Sequence, residues 1–417
     1  MKIVVIHQYF LRPEEGGGSR FNEMTRFWVE QGHEVTVIAG QVHYATGEKP
    51  AEYKGKMVVE EWQDGVRVLR AYTPSTFHQS ILGRMWAFGG FGLGASLALM
   101  THIDDADVVL ATSPSLLVLV PGLLAKSLRG WPLIFEVRDL WPESAVSTGV
   151  LSETSPVTQF AYWLEETGYR AADKINVLTP AFRQNIVERG LAGLDKISFI
   201  PNGADVDLFT PGPADPDVRE RYGWQDKFVV LYAGAHGIAN HLWQLIDAAE
   251  ILRERGRDDI ILASVGNGPQ KADLIAETES RGLTNMQWLD AVSKTEMPGL
   301  LRAADVGAAV LKRVDTFKTV YPNKIFDYMA CARPTLLAID GVAREVIEEQ
   351  AESGIFVEPE RPEELADTVE WMVEHPDELR QMGERGRRFV EENFARPKLA
   401  ARYLEVMKEV VGDGSRR

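Results

Sequence analysis

The segment Thr319-Val320-Tyr321-Pro322-Asn323-Lys324-Ile325-Phe326-Asp327-Tyr328-Met329-Ala330 holds the residues with the clearest chemistry. Pro322 suits the first position of a helix, and Lys324 and Asp327, three apart, share one face of it. A lysine at a helix N-terminus opposes the helix dipole unless an anion offsets it. That points to a phosphate for Lys324, with Asn323 beside it, and to a ribose hydroxyl for the Asp327 carboxylate. The plainer alternative is an exposed i,i+3 ion pair worth ~0.2–0.5 kcal/mol. Three glycine loops add anion-binding potential, because glycine lets the backbone approach a phosphate closely. They are Gly16-Gly17-Gly18-Ser19-Arg20, Gly234-Ala235-His236-Gly237 and Val265-Gly266-Asn267-Gly268-Pro269. Arg20 brings a positive charge, and His236 either donates to a diphosphate and titrates near neutrality or is a structural histidine. A tight turn into a helix is the competing reading of the first loop.

A second cluster, Glu136-Val137-Arg138-Asp139-Leu140-Trp141-Pro142-Glu143, follows an apolar run. Ionisable groups crowded at a strand end are costly unless paired or used. Arg138, Asp139 and Glu143 are therefore candidate site residues, against an Arg138–Asp139 or Arg138–Glu143 pair that holds the loop. Metal chemistry finds little support. Asp205-Val206-Asp207 has the spacing of a metal–diphosphate clamp but sits in a connector after Asn202-Gly203. The single cysteine, Cys331, excludes cysteine-cluster metal sites and intramolecular disulfides. No Walker-type phosphate loop and no serine nucleophile elbow is present.

The elements that must position these groups alternate strand and helix. Lys2–His7 reads as a buried strand, Phe21 to Trp28 as a helix and Glu34–Ala39 as a second strand, a βαβ unit. The alternation continues to Ile197–Ile200. It breaks at Pro201-Asn202-Gly203 and restarts at Lys227–Ala233, with further strands expected at Ile260–Val265 and Met286–Leu289 and a helix at Asn323–Ala330. Two successive α/β halves are predicted, with ligands at the carboxyl ends of the strands. A first domain over 1–201 and a second from 202 are expected, and the tail from Glu363 to Val411 reads as helices.

The 417 residues carry 45 basic and 61 acidic groups, net −16, which argues against nucleic acid as a partner. The N-terminus reads as a strand rather than a signal peptide, so a cytoplasmic location is expected. Met85–Met100 is uncharged but rich in glycine and shorter than the ~20 residues of a membrane span. No Asp or Glu occurs from Val66 to Ile103, whereas Arg67, Arg70 and Arg84 do. With Trp86 and Phe88 they form a candidate acceptor or peripheral membrane face. A buried helix and a glycine-rich loop are the alternatives.

GGGSR, PNGADVDLF, VGNGP and NKIFDYMACARP, in that order, resemble the retaining GT-B glycosyltransferases of family 4 along almost the whole chain. EVRDLWPES, LYAGAHG and TVYPNKIFDYMA look most like bacterial O-antigen and capsule enzymes of the N-acetylfucosamine-transferase type. The resemblance implies two Rossmann-like, doubly wound domains facing a cleft, with a nucleotide-sugar donor held by the second and no metal required. It also implies that the second domain, 202–394, is followed by a helix over 395–417 that crosses back to the first. It places GGGSR near the diphosphate, Asp327 on the ribose, and Trp288-Leu289-Asp290 with VGNGP near the base. Thr319 stands where the family has the glutamate that contacts the donor sugar. Ala235 and Asn240 replace its diphosphate cations, and Arg138 its N-terminal-domain histidine. Diphosphate charge then rests on Arg138, Lys324, His236 and helix ends. The implied activity is metal-independent, retaining transfer of a sugar, an N-acetylhexosamine or deoxy form, from a UDP-sugar to a glycan or polyprenyl-diphosphate-linked acceptor. The rivals are a nucleotide-sugar 2-epimerase and a non-catalytic nucleotide-sugar-binding partner.

Overall fold

Short runs of Val, Ile and Leu form the central strands of two separate sheets, buried on both faces as parallel strands require. The structure is a computed structural model that describes residues 1–13, 15, 20–43, 47–76, 81–147 and 149–414, with side chains undescribed at 81, 82, 84, 413 and 414. Gly16, Gly17 and Gly18 and the Arg84 side chain lie outside the described residues. The chain divides into Met1–Pro201 with Pro397–Arg417, and Asn202–Arg396.

The first unit holds β1 (Lys2–Ile6), β2 (Glu34–Gly40), β3 (Val58–Gln63), β4 (Val66–Ala71), β5 (Val108–Thr112), β6 (Leu133–Val137), β7 (Lys174–Val177) and β8 (Ile197–Phe199). Their order is β3-β4-β2-β1-β5-β6-β7-β8. All pair in parallel except β3, which runs antiparallel to β4. The chain winds outward in both directions from β1 and β5, so the order switches between them. The tail from Pro397 packs into this unit: Trp28 Nε1 donates to the Ala400 carbonyl at 2.9 Å, and the Trp28 and Tyr403 rings meet edge to face.

The uncharged stretch is a helix, Ile81–His102. Its glycines allow close approach: a Cβ on Gly90 would lie 2.4 Å from the Pro74 ring, and one on Gly94 2.6 Å from the Tyr72 carbonyl oxygen. Among the described residues no helix is long and apolar enough to cross a membrane.

The second unit holds β9 (Phe228–Ala233), β10 (Ile260–Val265), β11 (Met286–Leu289), β12 (Val306–Val310), β13 (Thr335–Ala338) and β14 (Gly354–Phe356), all parallel in the order β11-β10-β9-β12-β13-β14. Here the order switches between β9 and β12. The helix Asn323–Ala330 follows β12, and its Ile325, Phe326, Tyr328 and Met329 are buried. That burial fixes the opposite, polar face of its first turn toward the strand ends.

Candidate functional site

In the second unit the strand ends converge on two interlocked glycine loops. Gly234 directly follows β9 at φ 152°, and Gly266 follows β10 at φ 151°. A Cβ on Gly266 would meet the Gly234 carbonyl oxygen at 1.9 Å, and one on Gly268 would meet His236 backbone atoms at 2.5–2.8 Å. Only glycine fits either position. The loops are laced by His236 N–H to the Asn267 carbonyl at 2.9 Å and Gln270 N–H to the His236 carbonyl at 3.0 Å.

Lys324 rises from the first turn of the helix Asn323–Ala330 onto the face of Tyr232, its Nζ 3.4 Å from the ring centroid. Gly234 is what makes room, since a Cβ there would sit 2.9 Å from Nζ. No carboxylate of a described residue pairs with this ammonium. The expected alternative, an exposed Lys324–Asp327 pair, is not formed. Burial pushes the Lys324 pKa well below its ordinary value. A desolvated cation held only by a ring face, at a helix N-terminus and beside glycine loops, is a place for an anion. The ring itself is fixed by the Tyr232 hydroxyl donating to the Ala235 carbonyl at 2.9 Å.

His236 plays a different part from the one its loop suggested. It is fully buried, with Nε2 2.8 Å from the Ser264 hydroxyl and its ring edge-on to Trp288 at 5.4 Å. Burial, then the nearby Lys271 and Lys324 charges, lower its pKa to about 4. It is therefore neutral near pH 7 and cannot balance a diphosphate charge or titrate near neutrality. Its Nδ1 is buried without a partner among the described residues. Lys271, which the sequence reading missed, joins three elements through Nζ. It donates to the Gly266 carbonyl at 3.0 Å, the Leu289 carbonyl at 2.9 Å and Asp290 at 2.7 Å. A lysine opening the helix after VGNGP was the available signal.

The remaining donor-side candidates sit around this centre. Asn323 accepts from the Asn202 side-chain amide, Asn267 accepts from Gly268 N–H, Gly237 follows His236 in the first loop, and Asp327 is half-buried one turn along the helix from Asn323. Thr319 ends a short 3₁₀ turn, and its hydroxyl donates to the Thr316 carbonyl at 2.7 Å. Asp205 of the DxD spacing accepts from Leu208 N–H and pairs with Lys294 at 3.4 Å.

In the first unit a polar cluster occupies the switch between β1 and β5. Arg138 N–H donates to the Ser113 hydroxyl at 2.8 Å, and its guanidinium donates to His7 Nε2 at 3.0 Å. His7 is 2% exposed, and its pKa is held well below the usual value by burial and by Arg138, Arg20 and Arg70. Neutral His7 thus accepts from Arg138 in place of the Asp139 or Glu143 pairings expected. The sequence reading saw His7 only as the end of a strand. Asp139 accepts from Ser144 at 3.0 Å and is raised in pKa by burial. Glu143 accepts from Asn185 at 3.1 Å and lies 3.9 Å from Arg189, an assignment to helix packing.

Three arginines depart from expectation. Arg20, expected at the diphosphate, is 3% exposed. It pairs with the fully buried Glu136 at 3.1 Å and donates to the carbonyls of Pro201 and Ile200. Arg70, expected on an acceptor or membrane face, is 2% exposed and bonded to Glu61 at 2.6 Å and the Phe10 carbonyl. Arg67 pairs with Glu60 at 2.8 Å. The acid-free window misled because the antiparallel β3 brings Glu60 and Glu61 from outside it. Trp86 is exposed and Phe88 half-buried.

The two buried histidines set an acid limit. Each is lowered from about 6.5, so the unfolded chain binds protons that the folded chain refuses, and stability falls as pH drops below about 6.5. For His236 the loss continues down to about 4. We expect the thermal midpoint to fall over that window, and His236→Gln to flatten the slope; an unchanged slope in the variant would refute the assignment.

Comparison with known proteins agrees with the two-unit division. "Glycosyl transferase 4-like domain" matches residues 15–203, and "Glycosyl transferases group 1" matches residues 215–389. The chain is 28% identical over 379 residues to WcaI, an Escherichia coli glycosyl transferase assigned to colanic acid biosynthesis, covering 88% of this chain and 90% of that one. It is 25% identical to the MMP alpha-(1->4)-mannosyltransferase of Mycolicibacterium hassiacum, covering 95% of each. Among solved structures, sucrose-phosphate synthase from Thermosynechococcus elongatus matches with TM-score 0.75 at 15% identity, covering 99% and 100% of the two chains. Anabaena HepE in complex with UDP matches with TM-score 0.70 at 18% identity, covering 98% and 100%. These likenesses fix the fold as GT-B, and with both units matched in order the chain belongs to the glycosyltransferases of the 4-like and group 1 type.

Proposed function

We propose that this enzyme transfers a sugar, an N-acetylhexosamine or deoxy form, from a UDP-sugar to a glycan or polyprenyl-diphosphate-linked acceptor in cell-surface polysaccharide synthesis. Anomeric configuration is retained and no metal is required. The observation that carries the reading is Lys324, a desolvated ammonium without a carboxylate partner beside the glycine loops. Such a cation stabilises the negative charge that grows on a diphosphate leaving group as the glycosidic bond breaks. The N–H groups of the first turn at Asn323 and Lys324 add to it, which is how this chain manages without the cations absent at Ala235 and Asn240. Asp327, one turn along, takes the ribose hydroxyls. The relatives support the setting: WcaI is named for colanic acid synthesis, and TuaH of Bacillus subtilis for teichuronic acid synthesis. UDP-glucose occupies a solved relative in fold.

On this reading the first unit receives the acceptor, at the inner membrane surface when that acceptor is lipid-linked. His7, Ser113 and Arg138 set the polar end of that site. Incubation with a panel of UDP-sugars in EDTA tests the proposal. We expect binding and slow hydrolysis of one donor, with the product anomer matching the donor. Inversion, a strict metal requirement, or conversion of UDP-GlcNAc to its 2-epimer without acceptor would overturn it. Tight binding with no hydrolysis or transfer would indicate a non-catalytic partner.

A further inference from the structure

The first unit contains an apolar cavity of about 280 Å³ that the sugar chemistry above does not use. Its walls come from the helix Ile81–His102 through Met85 and Phe88, from Trp141, and from the helix Pro156–Ala171 through Phe160, Ala161 and Leu164. Among the described residues no Asp, Glu, Lys or Arg lines it. A sugar or a nucleotide would find too few partners there.

The cavity is not isolated from the polar cluster. Pro114 and Ser115 line it immediately after Ser113, Tyr9 lines it two residues after His7, and Trp141 N–H bonds the Asp139 carbonyl. At that inner end the Ser115 hydroxyl is 3% exposed and has no hydrogen-bond partner among the described residues. A buried hydroxyl left unmatched is unfavourable, and here it points to a polar group of a ligand. At the outer end Phe160 is 51% exposed and packs on Trp163, itself 59% exposed, with ring centroids 5.6 Å apart. Trp86 is likewise exposed next to Met85. Polarity thus falls from the strand ends outward, and the exit is walled by aromatic rings suited to an apolar–water boundary.

We infer that this cavity seats the isoprenoid hydrocarbon of a prenyl-diphosphate acceptor, with the phosphate end at Ser115 and the chain leaving past Phe160 and Trp163. The inference rests on the proposed sugar transfer and names its acceptor class. It also moves any lipid contact away from Arg67 and Arg70 to neutral, aromatic groups.

The test uses the full chain saturated with UDP, so that the second unit's anion site is filled. Farnesyl diphosphate, isopentenyl diphosphate and inorganic diphosphate are titrated by tryptophan fluorescence. Each methylene buried strengthens binding on the order of fourfold, so farnesyl diphosphate is expected to bind at least tenfold more tightly than isopentenyl diphosphate. Ala161→Phe, which fills the cavity, and Phe160→Ser, at its exposed mouth, should each remove that difference while leaving UDP affinity unchanged. Phe160→Ser guards against misfolding of the buried variant. Affinity independent of chain length, or a chain-length effect that survives both variants, overturns the inference. So does a dimer in sedimentation velocity that Phe160→Ser dissociates without any prenyl binding, since the face is then a protein interface. Failure of UDP to bind defeats the sugar-transfer reading instead, and is read separately from chain-length dependence.

Discussion

Lys324→Ala is expected to lower kcat/KM for the donor by on the order of 10²–10³-fold, the range for removing one preorganised group that stabilises transition-state charge. The same change should leave the protein more stable. The folded state holds an ammonium that burial disfavours, so folding is penalised wherever the unfolded lysine would be protonated, below about 10.4. Stability therefore rises with pH through the alkaline range toward that value, and a Lys324→Met protein should lose this dependence. A gain of about 1 kcal/mol would raise the thermal midpoint by roughly 2–4 °C for a unit of this size. Binding supplies the counter-charge, so the enzyme should take up protons on binding UDP at alkaline pH, measured by calorimetry in buffers of different ionisation enthalpy. A Lys324→Met enzyme with normal turnover, or a wild-type enzyme without proton uptake, would contradict the assignment. Lys324→Arg should not rescue, because Gly234 leaves space for a single ammonium over Tyr232 and not for a planar guanidinium.

Arg20→Ala is expected to destabilise the first unit by about 3–5 kcal/mol, the cost of leaving a buried charge without its partner. The charge left is Glu136, fully buried, which also accepts from Thr112 at 3.2 Å and Asn176 at 3.0 Å. Urea denaturation followed by circular dichroism measures the loss. The double variant Arg20→Met with Glu136→Leu should recover most of it, since an apolar pair removes both desolvation penalties. UDP affinity of any folded Arg20 variant should match the wild type. A weakened affinity with unchanged stability would return Arg20 to the donor site where the glycine loop had suggested it.

Strand and helix positions were legible wherever apolar periodicity was strong. β10 and β11 and the helix Asn323–Ala330 have the bounds that alternation predicts. β3, β4 and β14 were not read. β3 is half-exposed and charged, and β14 is only three residues long. The chemistry was legible as residue types and illegible as partnerships. Lys324 was read as a cation in need of an anion, but Tyr232 looked like one more apolar strand residue, because the pattern does not say which ring a lysine will cross. His7 was hidden in the same way. Its link to Arg138 depends on β1 and β6 flanking β5, and sheet order is not written in either segment. From sequence, Arg20 is assigned to a diphosphate, and Arg67 and Arg70 to an acceptor or membrane face, because their carboxylates come from other elements.

On the proposed donor site, the interlocking of Gly234, Gly266 and Gly268 also limits where donor preference can be re-engineered. A Cβ at Gly266 or Gly268 would strike loop backbone, and Gly234 sits at φ 152°, so substitutions at these three positions would distort the loops themselves. Ala235, Ile238 and Asn267 sit between and beside them with exposed side chains, Ile238 at 69%. They form a variable set on an invariant frame. On that reading of the site, diversity confined to those three is expected to change which sugar nucleotide binds while leaving the interlocked loops intact.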